Sequence, residues 1–197
     1  MTPIRMFQAL RKEGTPCFML ESVENKDQWG RYSFIGINPK SEIKISGKEL
    51  EVDGVKQEEE FKMSYLSDLI EKYKSPVMED YPKLTGGLIG YFGYDMIRQV
   101  EKKLTNVPED DLEMPECHLC MYDEISAFDH LANKAVIIQN IHKGDNIKQK
   151  YEELEDKAEL ILHKMERPVS LSKDRFTPAK TEVTSVSYTH LRAHETG

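Results

Sequence analysis

An α+β fold, built largely of antiparallel sheet flanked by helices, is predicted by three features of this chain. Strand-type runs predominate in its first half and are separated by short polar turns. The Asp53-Gly54 pair is a strong hairpin signal, because both residues tolerate positive φ. The helical patterns fall between the strand runs without a strict βαβ rhythm, which disfavours a parallel sheet.

Taken in order, the elements justify that class. Thr2-Pro3 reads as a helix start, a hydroxyl cap followed by proline at the first helical position. Ile4, Phe7 and Leu10 then fall on one face, and Gly14 stops the helix. Cys17 to Ser22 reads as a strand, with Arg31 to Gly36 as its partner. Glu42 to Ile45 and Leu50 to Val52 are short alternating runs, and Lys56 to Phe61 returns from the Asp53-Gly54 turn. Met63 to Lys74 is helical, with Leu66, Leu69 and Ile70 inward, and Ser75-Pro76 ends it. A polar linker over 77–85 leads to Gly86-Gly87-Leu88-Ile89-Gly90-Tyr91-Phe92-Gly93-Tyr94-Asp95, an apolar run with a helix expected after it from Met96 to Lys103. An acidic loop follows over 104–115. Cys117 to Phe128 and Ala135 to Ile141 read as paired strands around the turn His130-Leu131-Ala132-Asn133, the second rich in β-branched residues. Asn146 to Glu166 is a long charged helix whose apolar stripe is Tyr151, Leu154, Ala158, Ile161, Leu162 and Met165, and Pro168 ends it.

Composition bounds the function. The chain has 197 residues, 39% hydrophobic and 31% charged, enough to bury a core in one domain. No apolar run approaches the roughly 20 residues of a membrane helix. The N-terminus carries no basic-then-apolar signal pattern. A net charge of −8 with dispersed acids argues against nucleic acid as a partner. Three cysteines, an odd number without a signal, suggest reduced thiols and a cytoplasmic setting.

Several motifs invite a chemical reading and do not sustain it. Cys117-His118-Leu119-Cys120 suggests zinc, but no second ligand pair follows, and strand residues three apart point to opposite faces. Two buried small side chains account for it. His190 and His194 have a helical metal-pair spacing but no third ligand. The glycines at 86, 87, 90 and 93 match neither a dinucleotide fingerprint nor a Walker loop, since no Lys-Ser/Thr follows. Those at 87, 90 and 93 fit close approach of a neighbouring strand or helix. Glu109-Asp110-Asp111 with Glu113 reads as a solvated acidic loop.

Residues 19–36 are the most informative. Met19-Leu20-Glu21-Ser22 is an apolar run ending in a carboxylate and a hydroxyl. Trp29-Gly30-Arg31-Tyr32-Ser33-Phe34-Ile35-Gly36 opens with the only tryptophan and alternates basic, aromatic and small residues. As a hairpin, the two offer an ammonium acceptor and a carboxylate clamp, the needs of a free amino acid. Strand alternation puts Leu20 and Ser22 on one face and Glu21 on the other, so Glu21 would contribute its carbonyl, or its side chain from a bulge. On the tripeptide alone, a strand end with a solvated Glu21 and a backbone-bonded Ser22 is the more ordinary account. Arg31 then reads as a surface arginine paired with Glu21 or Glu24. Tyr32 and Phe34 share a face, as do Arg31 and Ser33, and Trp29 reads as packing.

Three runs, 19–36, 85–98 and 117–130, occur in the order found in anthranilate synthase component I, and the chain over roughly 1–183 resembles the N-terminal region of that family. The Leu20-Glu21-Ser22 motif resembles the family's tryptophan feedback site. The Thr-Gly-Gly-x-x-Gly-Tyr-x-x-Tyr-Asp run resembles the same region of the chorismate-using synthases. Leu119, Tyr122, Asp123, Ala127, Phe128, Asp129 and His130 match an apolar strand ending in Phe-Asp-His. The resemblance implies an L-tryptophan site in which Ser22 is most directly involved, Leu20 and Glu21 flank it, and Arg31 pairs with the amino acid's carboxylate. Tyr91 and Asp95 would line or brace it.

The resemblance further implies that the full enzyme converts chorismate and ammonia to anthranilate and pyruvate. A glutamine amidotransferase subunit would supply the ammonia and Mg²⁺ would hold the substrate. The metal ligands and catalytic base would lie in a C-terminal domain beyond this sequence, so the expected catalytic residues here are none and the fragment is expected to be inactive. Residues 1–168 then form the N-terminal domain and 169–185 a linker. Residues 186–197 fit neither the family nor a core; they read as translated sequencing adapter, with the true protein continuing beyond about Ser185. Component I of aminodeoxychorismate synthase and a free-standing amino-acid-binding module are the alternatives. The Trp29–Gly36 and Tyr91–Asp95 runs tilt the reading to the anthranilate branch.

Overall fold

The structure, a computed structural model, describes residues 2–21, 30–76, 78–79, 81–101, 103–104, 114–142 and 144–166. Ser22, Trp29, the acidic run 109–113, the linker 169–185 and the tail 186–197 lie outside the described residues.

The chain opens with helix α1 (Pro3–Leu10), whose Arg5 amide donates to Thr2 Oγ1 at 3.3 Å, as the cap signal predicts. Its inward face is Pro3, Met6 and Leu10 with Phe7 alongside, whereas Ile4 points outward. Strand β1 (Cys17–Glu21) pairs antiparallel with β2 (Tyr32–Ile37), so the hairpin expected from the sequence forms. After a bend at Asn38, with φ of 51°, β3 (Ser41–Ser46), β4 (Glu49–Val52) and the short β5 (Val55–Lys56) follow. Asp53 and Gly54 take φ of 53° and 78°, which accounts for the turn between β4 and β5. The return strand is limited to two residues rather than reaching Phe61. Helix α2 (Met63–Lys72) buries Leu66 and partly Leu69, while Ile70 is 58% exposed, so the inward stripe is narrower than the periodicity implies.

Strand β6 (Gly87–Phe92) leads into a 3₁₀ helix, Tyr94–Gln99, where the sequence predicts an α-helix starting at Met96. The region expected as one strand over 117–128 is two, β7 (Cys117–Tyr122) and β8 (Glu124–Asp129), with Asp123 between them. Strand β9 (Lys134–Gln139) pairs with β8 across a turn in which Asn133 has φ of 50°. Helix α3 (Ile147–Glu166) ends the described chain. Of its predicted stripe, Ile161 and Met165 are buried and Leu154 and Ala158 partly so, whereas Tyr151 and Leu162 face solvent.

The strands form two sheets, one ordered β1-β2-β8-β9 and the other β5-β4-β3-β7-β6. Every pairing is antiparallel. One two-stranded ribbon runs through both: β2 pairs β8, β3 pairs β7, and the bends at Asn38–Lys40 and Asp123 carry it from sheet to sheet. Asp123 fixes this corner. Its carbonyl accepts from the Asn140 backbone amide, and its carboxylate lies 3.2 Å from His142 Nε2 and 3.7 Å from Lys40 Nζ.

Strand alternation then sorts the core into three layers of contact. Ile35, Ile37 and Phe128 of the first sheet pack under α1 and α3 with Met6, Leu10, Ile161 and Met165. Ile43, Ile45, Cys117 and Leu119 of the second sheet pack under α2 and the 3₁₀ helix with Leu66 and Met96. Between the sheets sit Phe18, Phe34, Ile125 and Ile138 from one and Ile89, Cys120 and Tyr122 from the other. Each fully buried aliphatic side chain here contributes about 1.5–3 kcal/mol. Among the described residues no helix is long and apolar enough to cross a membrane.

Candidate functional site

The candidate residues gather where β1 ends, β2 begins and β8 runs into its turn. Cys17, Met19 and Glu21 lie opposite Ile37, Ile35 and Ser33, on the helix-covered side of the first sheet. Leu20 lies opposite Phe34, on the other side. Glu21 therefore reaches the Leu20 face only through its backbone, in keeping with the alternation argument. Ser22, the residue the resemblance ties most directly to an amino-acid ligand, lies outside the described residues.

Arg31 is placed by a fork. Its Nε lies 3.2 Å from both carboxylate oxygens of Asp129, and Nη2 donates to Oδ2 at 2.8 Å. Among the described residues its partner is not Glu21 but a residue 98 positions along the chain, and Glu24 lies outside the described residues. The reason is the register: Tyr32 pairs with Asp129, so the residue before β2 meets the end of β8. The backbone closes the same junction, the His130 amide donating to the Arg31 carbonyl at 2.8 Å. Arg31 does not join Ser33's face as the alternation predicts. It precedes β2, and its guanidinium lies over the Tyr32 ring, 5.0 Å from the centroid. Tyr32 and Phe34 do share a face, their centroids 5.9 Å apart.

Asp129 is 1% exposed and its charge is well supported. Besides Arg31, its Oδ1 accepts from the Leu131 and Ala132 amides at 3.0 Å each. The Arg31 hydrogen bonds, followed by those backbone amides, outweigh burial and hold the carboxyl down at about 2. The same pairing raises the Arg31 guanidinium, which was never at risk of losing its proton. The Arg31 side chain remains 41% exposed. Asp129 occupies the Nε–Nη2 edge of the guanidinium, and among the described residues Nη1 makes no hydrogen bond. The guanidinium's second, outward edge has the geometry to take an anion.

On the helix-covered face, Ser33 Oγ and His130 Nε2 share a hydrogen bond of 2.8 Å, and the His130 ring meets Phe128 edge-on at 5.2 Å. Ser33 is fully buried, which removes it as a nucleophile and makes the pair a brace. Sequence reasoning quoted Phe128, Asp129 and His130 only as a pattern and gave them no role. The available signal was Asp129 followed by a turn, since aspartate caps backbone amides two and three residues on.

The other candidates sit elsewhere. Tyr91 donates to the Pro115 carbonyl at 3.0 Å, and Asp95 pairs with Arg98. Neither bond involves Leu20 or Arg31. Cys117 and Cys120 enter different cores on opposite faces of β7, as their spacing requires, and burial pushes both thiols up, Cys117 to about 11. Among the described residues no three His, Cys, Asp or Glu converge as a metal site. One depression is lined by Leu50, Glu59, Tyr65 and Asp68, and another by Leu69, Tyr73, Gly87 and Met121; neither includes Leu20, Glu21 or Arg31.

Fold and corner together define a two-sheet α+β domain that presents an immobilised arginine at a strand end. The family model described as chorismate binding enzyme matches residues 15–190, and the chain belongs to that family. It is 39% identical to anthranilate synthase component 1 of Acetivibrio thermocellus over 170 residues, 81% of this chain and 33% of the relative. It is 33% identical to the chloroplastic anthranilate synthase alpha subunit 2 of Arabidopsis thaliana over 184 residues, 84% of this chain and 30% of that one. The crystal structure of anthranilate synthase component I from Streptococcus pneumoniae TIGR4 aligns with a TM-score of 0.58 at 27% identity, covering 85% of this chain and 35% of that one. The chain thus spans about a third of the length of the curated relatives it matches.

Proposed function

We propose that this chain is the N-terminal, regulatory part of an anthranilate synthase component I and carries half of its L-tryptophan feedback site. The whole enzyme would convert chorismate and ammonia to anthranilate and pyruvate, with a glutamine amidotransferase subunit supplying the ammonia. Among the described residues no cluster of His, Cys, Asp or Glu fits a Mg²⁺ site. Its ligands and the catalytic base belong, on this reading, to the two thirds of the relatives' length that this chain does not span. The polypeptide by itself is then inactive.

The observation that carries the regulatory reading is the side-on Arg31–Asp129 fork, which engages one edge of the guanidinium and leaves its outward edge to a second partner. A guanidinium fixed on one edge suits the carboxylate of a free amino acid through its other edge, and Leu20 and Tyr32, on one face of the sheet, suit its apolar side chain. On this reading the remaining wall of the pocket would come from the rest of the enzyme. Bound tryptophan would favour an arrangement of the two parts with lower chorismate affinity. By linkage, chorismate weakens tryptophan by the same factor.

Substitution at Ser22 tests this in the chain completed with the remaining portion of the Acetivibrio thermocellus relative. Ser22→Phe is expected to raise the tryptophan concentration needed for half-inhibition by at least about tenfold, the effect of losing one hydrogen bond and filling the subsite. Inhibition that persists unchanged contradicts the assignment.

A further inference from the structure

Resting on the reading of Arg31 as a carboxylate clamp, we infer that Asp129 is the positioning residue that gives the clamp its selectivity for a ligand carboxylate. The argument is geometric. Arginine has four rotatable side-chain bonds, and at 41% exposure its free guanidinium would sample many orientations. Asp129 removes that freedom. It takes Nε and Nη2 side-on, leaving only the outer edge for a second partner. The Tyr32 ring under the guanidinium fixes its plane.

Asp129 can do this because it is itself held. The Leu131 and Ala132 amides pin Oδ1, the β2–β8 ladder fixes its Cα opposite Tyr32, and it is almost fully buried. Its charge persists at every physiological pH, so the clamp is constant and not a pH switch. Behind it, the Ser33–His130 bond ties the same two strand ends on the opposite face. The selectivity determinant is thus split between a ligand-facing residue on the first hairpin and an internal acid from a strand end 98 positions later.

The readout is preference and not mere affinity. Calorimetric titration compares L-tryptophan with tryptamine, which lacks the carboxylate, on the chain completed with the Acetivibrio thermocellus portion. The unsubstituted protein is expected to prefer L-tryptophan by at least about tenfold, the worth of one charge-assisted hydrogen bond. Arg31→Ala should abolish that preference. Asp129→Asn should reduce it to near unity, and the double substitution should lose no more than Arg31→Ala alone, because the two act through one contact. Arg31→Lys, which keeps the charge and the fold but cannot be held side-on, should also lose the preference. A preference that survives Arg31→Ala overturns the clamp reading, and this inference with it. A preference lost in Arg31→Ala but kept in Arg31→Lys, or in folded Asp129→Asn, overturns the positioning role alone.

Discussion

Asp129 is a buried carboxylate whose partners are all identifiable, so its energetics follow from its contacts. Its folded carboxyl sits at about 2, below the ordinary 3.8. A depressed acid stabilises the fold above its unfolded value and loses that contribution as pH falls through its folded value. The contribution should therefore be complete above about pH 5 and fade between about pH 4 and 2, amounting to about 1–2 kcal/mol once the exposure of Arg31 is allowed for. Urea unfolding of the chain across that window should show the slope, and Asp129→Asn should flatten it. Asp129→Ala leaves two backbone amides and a guanidinium without their acceptor and should cost about 3 kcal/mol. A second residue, Gly36, lies under the Phe18 ring, where an added Cβ would fall 2.1 Å from Cε1. Gly36→Ala should destabilise by about 1–3 kcal/mol through displacement of that ring from the intersheet core. Paired with Phe18→Leu, much of that cost should disappear from the melting temperature.

Among the elements, β6 depends on its glycines for a backbone reason. At Gly90 a Cβ would lie 1.9 Å from the His118 carbonyl oxygen of the neighbouring strand. Backbone cannot rotate away as a ring can, so Gly90→Ala should cost about 3 kcal/mol or more and separate β6 from β7. Hydrogen exchange of the β6 amides would report this directly. Close approach of a strand or helix was the sequence-level reading of the glycines at 87, 90 and 93. Gly90 bears it out against β7, whereas a Cβ at Gly87 would meet nothing within 4 Å and that position needs glycine for its φ of 131°. Helix α3 shows where periodicity stops being informative. Tyr151, Leu154, Ala158, Ile161, Leu162 and Met165 all lie within a broad apolar stripe, but the surface of α1 and the first sheet is narrow enough to bury only Ile161 and Met165 fully. Ile161→Ala should cost about 2–4 kcal/mol and Leu162→Ala about 0.5 or less, a contrast measurable by chemical denaturation. The same limit explains Ile4 and Ile70: a helical period identifies a face and not how much of it a neighbour covers. The division of 117–128 into two strands has another cause. Nothing in Tyr122-Asp123-Glu124 marks a breaker, and the bend exists because the partner strand bends at Asn38–Lys40 and Asp123 is held by Asn140 and His142.

For the whole molecule, the α+β class and the β1–β2 hairpin were legible because local patterning encodes them, in strand-type runs close in sequence and in turn residues such as Asp53-Gly54. The two-sheet arrangement was not, since it depends on pairing β2 with β8 across most of the chain. Half of the candidate corner was legible for the same reason. Leu20, Glu21 and Arg31 stand on one hairpin and can be found by local pattern, whereas the partner that orients Arg31 is brought there only by that long-range register. The regulatory proposal belongs to this scale too: it assigns the second wall of the pocket to the part of the relatives that this chain does not span. The most direct test is calorimetric titration of L-tryptophan into the 197-residue chain and into the same chain completed with the Acetivibrio thermocellus portion. The account predicts binding at least about tenfold tighter to the completed protein. Equal affinity for both would contradict a shared pocket, and no binding to the completed protein would contradict the sensor itself.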